Sequence, residues 1–282
     1  MNIAELLTEG RAVLAQDPEL PDPGREARWL MARVLGQSEA WVLSHPEATL
    51  TEAEATQFHD WVRRRAAGEP AHYIVGVCPF WGREFVVTRT VLIPRPETEL
   101  IVERALTLPL PASPRILDVG TGSGNVAVTL ALEVPGAQVT ATDVSLAAVT
   151  VAQLNAARHG GAVLLSCGDL AEHVNSRFDL VTANLPYIPS GTVKGLLPEV
   201  RDHEPHVALA GGPDGMELIR KLLSDLPRLL RPGGYALLEV GPVQAWWLEA
   251  AVAESGLEEV DRISDAGHVE RTLVLRWPEA RE

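Results

Sequence analysis

From Arg115 onward the chain alternates short apolar, β-prone runs with helical stretches, and this alternation limits the fold more than any other feature of the sequence. The spacing predicts strands at 115–118, 138–142, 162–166, 178–183, 234–240, 256–262 and 271–276. Helices are expected between most of them, near 123–134, 145–158, 215–230 and 242–255. Such a pattern predicts a largely parallel, doubly wound α/β sheet covered on both faces. Only Ser264-Asp265-Ala266-Gly267-His268 joins the last two strands, which suits an antiparallel pair at one end of the sheet.

The 282 residues exceed one average domain, so a second is expected before the sheet. Ala27, Leu30, Met31, Val34 and Leu35 recur at helical spacing up to Gly36. Thr51-Glu52-Ala53-Glu54 is a capping-box pattern, and Phe58, Trp61 and Val62 form an apolar stripe behind it. That helix should stop by Gly68-Glu69-Pro70. Trp81-Gly82-Arg83-Glu84 can turn a hairpin into Phe85-Val86-Val87, and the prolines of Leu92-Ile93-Pro94-Arg95-Pro96-Glu97-Thr98-Glu99 forbid regular helix there. Residues 98–106 can be helical before Leu108–Pro114 breaks the run. The expected organisation is a helical domain over 1–72, a β-hairpin and proline-rich linker over 73–112, and the α/β domain over 113–282. Trp246-Trp247 falls on a helix, where at least one ring should pack into the core.

A net charge of −14 argues against a protein that grips bare nucleic acid over a broad surface, which needs a basic stripe. Arg63-Arg64-Arg65 is the best candidate for a local basic patch, with a solvated helix face as the alternative. Cys78 and Cys167 are far apart and are expected to be buried free thiols in a reducing compartment. The start of the chain has no basic segment followed by an apolar run, and no apolar stretch is long enough to span a membrane, so a cytoplasmic location is expected. His203 and His206 have no third ligand in view, so no metal is expected.

Ile116-Leu117-Asp118 ends the first strand of the sheet, and Val119-Gly120-Thr121-Gly122-Ser123-Gly124 follows before a helix. Glycines there let a ligand approach the backbone at the edge where open α/β sheets bind. Asp143 ends the second strand about 20 residues on, where a carboxylate can accept from ribose hydroxyls. Asp169 ends the third strand and can accept from an exocyclic amine, while Leu170 can pack on an adenine face. Helix N-capping is the alternative for both aspartates. The loop spacing is G-x-G-x-G, not the dinucleotide G-x-G-x-x-G, and no Lys-Ser or Lys-Thr follows. Asp118 would repel a pyrophosphate but suits an ammonium group, which favours S-adenosylmethionine over a nicotinamide dinucleotide.

Asn184-Leu185-Pro186-Tyr187 follows the fourth strand and shares that carboxyl edge. A planar amide or aromatic amine is a poor nucleophile because its lone pair is delocalised. Acceptors on its NH2 hydrogens, here the Asn184 side-chain oxygen and the Leu185 carbonyl, direct the lone pair toward a methyl donor. Tyr187 can lie against the flat target. Taken alone, the tetrapeptide can also be a plain strand-ending turn.

These residues make the chain similar to the peptide-chain release factor glutamine methyltransferases, the HemK or PrmC family, over nearly its whole length. The resemblance is carried by Arg64-Arg65 with Gly68-Glu69-Pro70, Ile93–Glu99, Ile116–Asp118 with Gly120–Gly124, and Asn184–Ile188. Glu204-Pro205, Ala208-Leu209, Gly211-Gly212, Asp265, Gly267 and Arg271 extend it. It implies a Rossmann-like methyltransferase fold and N5-methylation of the glutamine in the Gly-Gly-Gln loop of class 1 release factors. S-adenosyl-L-methionine would lie on Asp118, Gly120, Thr121, Gly122, Ser123, Gly124, Asp143, Asp169, Leu170 and Asn184, leaving as S-adenosyl-L-homocysteine. The glutamine would meet Asn184, Leu185, Pro186 and Tyr187, with Arg95 and Glu204 as further substrate-side candidates and the N-terminal helices gripping the factor. Arg95 can instead anchor the linker, Glu204 can be a surface-loop residue, and Glu97 and Glu99 can cap the following helix. The family's turn carries two prolines, and Leu185 stands in the first place here; a backbone carbonyl serves equally well from any residue. Two other readings are an adenine N6-methyltransferase acting on DNA or RNA and a non-catalytic S-adenosylmethionine-binding adaptor. The acidic charge weighs against the first, and the intact Asn184 and Tyr187 against the second.

Overall fold

Local capping sets the N-terminal helices. In the computed structural model, which describes residues 1–242 and 244–279, α1 (Ile3–Leu14) starts at a reciprocal cap. The Asn2 side chain accepts from the Glu5 N–H and the Glu5 carboxylate from the Asn2 N–H, both at 2.9 Å. Asp22 and Pro23 open α2 (Pro23–Leu35), and Gly36 closes it in the left-handed conformation. Ser38 caps α3 (Glu39–Ser44), and the Thr51–Glu54 capping box opens α4 (Glu52–Ala66). Their apolar faces bury Ile3, Leu6, Leu14, Leu30, Met31, Phe58 and Val62 as one core, and α5 (Ala71–Val75) follows.

The chain divides into two compact units. One comprises Met1–Val77 together with Leu196–His203, which includes the short α9 (Pro198–Arg201). The other comprises Cys78–Gly195 and the chain from Glu204 onward. The hairpin β1 (Val77–Phe80) and β2 (Arg83–Val86) thus packs mainly with the second unit: Phe80 and Phe85 sit in a core with Ile101 and Val102 of α6 (Glu99–Thr107). A 3-10 turn at Pro96–Thr98 leads into that helix, because Pro96 removes a donor and fixes φ at its first position.

The large sheet is built from β3 (Arg115–Val119), β4 (Gln138–Asp143), β5 (Val163–Cys167), β6 (Phe178–Ala183), β7 (Leu230–Glu239), β8 (Glu258–Ser264) and β9 (Glu270–Arg276). Its order is β5-β4-β3-β6-β7-β9-β8. The first five strands run parallel and β9 is antiparallel to both neighbours, as the short 264–268 link implies. Crossovers are made by α7 (Asn125–Glu133), α8 (Leu146–His159) and α10 (Glu217–Leu229); α11 (Gln244–Trp247) and α12 (Glu249–Ser255) lie between β7 and β8. Alternate residues enter opposite cores: Leu180 and Leu237 join α6 and α7, while Val181 and Leu238 join α10 and α12.

Several sequence expectations need correction. β7 begins four residues before 234, because Leu230 pairs with Phe178 and the Pro-Gly-Gly segment is absorbed as an irregularity in the ladder rather than ending it. The helix expected over 242–255 is two, α11 and α12. Trp246 and Trp247 are 69% and 70% exposed, so neither packs in the core. Cys78 is buried but Cys167, at the end of edge strand β5, is exposed. The arginine run is neither a basic patch nor a uniformly solvated face: Arg64 is bound to Glu69, and buried Arg65 bridges Glu26 and Glu199. Among the described residues no helix is long and apolar enough to cross a membrane.

Candidate active site

Strand order reverses between β3 and β6, and the loops leaving β3, β4 and β6 meet there. They line a cavity of about 500 Å³. Asp118, Gly120, Thr121, Gly122 and Ser123 line it together with Asp143, Asp169 and Leu170. Asn184, Leu185, Pro186 and Arg95 also line it. Gly124, Tyr187 and Glu204 do not.

The glycine loop is held by residues distant in sequence. Gly122 has φ 55°, donates its N–H to the Asp143 carboxylate at 2.8 Å, and would meet nothing within 4 Å of an added Cβ, so open space adjoins the backbone. The other Asp143 oxygen accepts from the Ser145 N–H at 2.8 Å, while Ser145 itself caps α8. Asp143 therefore does not occupy the capping position. Buried Asn155 ties the loop to the hairpin, donating to the Ser123 carbonyl at 2.8 Å and bonding both backbone groups of Val86. Gly124 serves packing: it opens α7 with φ 78°, and a Cβ there would lie 3.0 Å from that of Ala152.

Asp118 is 3% exposed and accepts from the Thr182 hydroxyl at 2.7 Å. Burial pushes its carboxyl up to about 6, opposed by the hydroxyls of Thr121 and Thr182 and reinforced by the nearby charge of Asp143. Burial also raises Asp143, against the N–H groups of Ser145 and Gly122. Two desolvated carboxylates in one cavity favour a ligand bearing a cation and hydroxyl donors. Asp169 is exposed and paired with Lys221 at 2.5 Å, and neighbouring Leu170 adopts φ 44°, an uncommon conformation for a branched residue.

The Asn184–Tyr187 turn is pinned from outside. The Asn184 Nδ2 donates to the Thr98 hydroxyl at 3.1 Å, and Thr98 donates to Glu239 at 2.7 Å. Gln244 donates to the carbonyls of Tyr187 at 2.6 Å and Gly215 at 2.7 Å. The backbone of 211–215 is packed so tightly that a Cβ on Gly211 would lie 2.4 Å from the Pro186 oxygen, and one on Gly215 2.2 Å from the Tyr187 oxygen. Among the described residues, none of the backbone bonds around the turn uses the Leu185 carbonyl. The Leu185 side chain, 4% exposed, joins the core, and its Cδ2 would touch a Cβ placed on Gly120. Leu185 thus fills space beneath the glycine loop, which gives a side chain at this position a packing role. The Tyr187 ring packs beside Gly241, and burial raises its phenol, so it stays protonated. Glu204 is buried and accepts from Arg95 at 2.6 Å, holding that cavity-lining cation in place. Glu99 accepts from the Trp81 N–H at 2.6 Å and makes no helix cap.

Sequence reasoning missed Thr98, Glu239, Gln244, Asn155 and Thr182. A glutamate closing the apolar run Leu237-Leu238 was the available signal for Glu239, and membership of the Ile93–Glu99 segment the signal for Thr98; the others carried none.

A seven-stranded sheet with this order, this loop and this turn at its reversal point defines an S-adenosylmethionine-dependent methyltransferase. The solved structures agree on the fold: a methyltransferase from Pyrococcus furiosus aligns with TM-score 0.55 and 21% identity, covering 71% of this chain and 91% of that one. The chain matches the PrmC N-terminal domain family over residues 5–76 and the methyltransferase small domain family over 97–196. It is 41% identical over 261 residues to the release factor glutamine methyltransferase of Bordetella pertussis, covering 92% of this chain and 96% of that protein. With the Geobacter sulfurreducens protein of the same name it shares 39% over 249 residues, covering 88% and 87%. The chain belongs to the release factor glutamine methyltransferase family.

Proposed function

We propose that this enzyme methylates the side-chain amide nitrogen, N5, of the glutamine in the Gly-Gly-Gln loop of class 1 release factors, in the cytoplasm, in support of translation termination. The observation that carries the reading is the Asn184 carboxamide, held by its nitrogen against Thr98 so that its oxygen is free to face the cavity. The residues present fit S-adenosylmethionine: open space beside Gly122, the buried Asp118 carboxylate for an ammonium, Asp143 beside the loop for hydroxyls, and apolar Leu170 for a flat base. When bound, that cofactor supplies an electrophilic methyl on sulfur and leaves as S-adenosylhomocysteine.

The chain's own residues then do three things. Asn184 Oδ1 and the Leu185 carbonyl accept the two N–H hydrogens of the glutamine amide and turn its lone pair toward the methyl. Gln244, Gly211 and Gly215 brace the Pro186 and Tyr187 carbonyls next to those acceptors, so the turn that aligns the amide is held before the substrate arrives. Pro186 adds an apolar wall that excludes water, and Arg95, fixed by Glu204, steers the incoming loop. With the cofactor bound, its methyl would pass to the aligned amide nitrogen, and the methylated amide, then strongly acidic, would release its extra proton to solvent. No strong base is needed, in keeping with the protonated Tyr187 phenol. The helical domain over 1–72 grips the factor.

The test is methyl transfer from labelled S-adenosylmethionine to a recombinant release factor, to that factor with its loop glutamine replaced, and to DNA and RNA. Label on the intact factor alone is expected. Label on nucleic acid, or on the factor lacking its glutamine, overturns the reading.

A further inference from the structure

A carboxamide is nearly symmetric in shape but opposite in chemistry at its two ends. Rotated by half a turn, Asn184 would present N–H donors to the cavity and repel the hydrogens of an incoming amide. Something must select one orientation, and the Asn184 side chain cannot do so itself.

We propose that Thr98 and Glu239 are positioning residues that set this orientation: Glu239 takes the Thr98 proton, so Thr98 can only accept from Asn184, and the Asn184 oxygen is left facing the substrate. The inference rests on the role given to Asn184 above and adds the residues that enforce it. Thr98 is 2% exposed and Glu239 3%, so water does not compete for either group. The bonds run in one direction, Asn184 Nδ2 to Thr98 Oγ1 at 3.1 Å and Thr98 Oγ1 to Glu239 Oε2 at 2.7 Å. An ionised carboxylate has no proton to give, which fixes the polarity of the whole chain. Thr98 lines the cavity beside Asn184, but it and Glu239 act through the Asn184 carboxamide rather than on the substrate.

The lock has a defined failure. A neutral Glu239 gains a hydroxyl that can donate to Thr98, which then donates to the Asn184 oxygen and turns the NH2 toward the cavity. Burial pushes the Glu239 carboxyl up to about 7; the Thr98 hydroxyl opposes this, Glu97 adds to it, and Arg271 and Arg95 oppose it. Both arginines are themselves paired, Arg271 with Asp265 and Arg95 with Glu204, and the neighbouring Tyr187 phenol stays neutral. The lock is therefore set above pH 7 and released below it.

Three variants of the full-length enzyme and one spectroscopic readout test this. Thr98→Val should lower kcat on the release factor by about tenfold or more with affinity for S-adenosylmethionine little changed, and Thr98→Ser should restore turnover to within about threefold. In wild-type protein labelled with 15N-asparagine, the Asn184 side-chain amide signal should shift with a midpoint near pH 7, and kcat should fall on the same acid limb. Glu239→Gln should abolish both pH dependences. A merely structural role predicts lower Tm with unchanged kcat in Thr98→Val and no titration of the amide signal; either result overturns the proposal. Should Thr98→Val not fold, Thr98→Ser and the wild-type titration still decide. A wild-type enzyme inactive on the release factor would sink the substrate assignment alone, since the amide titration needs no substrate.

Discussion

At the scale of single residues, the site separates groups that act through their oxygen from groups that act through their charge. On the role proposed for it, Asn184 is one of two acceptors that align a weak nucleophile, so Asn184→Ala should lower kcat about a hundredfold or more. Steady-state kinetics at saturating cofactor checks it; near-normal turnover would remove Asn184 from the chemistry. Leu185→Pro sharpens the point. The acceptor there is backbone, so activity should persist, but the leucine side chain is buried against the glycine loop. Trading it for a smaller ring should cost about 1–3 kcal/mol of stability, read as a lower Tm. Asp118, as proposed for the cofactor's ammonium, acts through charge. Its carboxyl lies at about 6 in the free protein, and only its ionised form attracts an ammonium. Affinity for S-adenosylmethionine should therefore weaken as pH falls through 6, and calorimetric titration of Asp118→Asn should show weaker binding with that pH dependence gone.

At the scale of elements, the Asn184–Tyr187 turn is a passive segment held by the loop before α10 and by the start of α11. Gly215→Ala tests this directly. Its φ of 77° strains any other residue, and a Cβ would collide with the Tyr187 carbonyl. The turn must shift by more than half an ångström, so kcat should drop by about tenfold or more while cofactor binding at the glycine loop is retained. Unchanged kcat would show that the carbonyls of the turn need no such support. The same elements explain what could be read in advance. β3, β4 and β6 with their ends at Asp118, Asp143 and Asn184 were legible because each signal is local: an apolar run, then a polar or glycine break. The supports were not. Thr98 meets Glu239 across 141 positions of sequence, and Gln244 meets Tyr187 across 57. No periodicity encodes a contact of that span. Trp246 and Trp247 failed for the opposite reason: their position on a helix was legible, but a one-turn helix has no face committed to a core.

At the scale of the whole molecule, the two buried carboxyls tie stability to pH and to cofactor. Asp118 and Glu239 sit at about 6 and about 7 in the folded chain, above their ordinary values of 3.8 and 4.5. The folded state thus binds protons more tightly than the unfolded one. The stabilisation from protonation is fully present below the ordinary values and is lost as pH rises through 6 and 7; each group is worth about 3 kcal/mol over that window. The Tm of the cofactor-free protein should therefore rise as pH is lowered from 8 to 5. Relief of self-repulsion in a chain of net charge −14 acts in the same direction. The double variant Asp118→Asn, Glu239→Gln removes these two contributions, and the slope it retains belongs to net charge and to Asp143, whose carboxyl burial also raises. Saturating S-adenosylmethionine gives a third arm. An ammonium beside Asp118 pulls that carboxyl back down, so the Asp118 share of the slope should vanish in the complex while the Glu239 share remains. A Tm that rises equally steeply on acidification with and without cofactor would mean that Asp118 does not face the cofactor's charge.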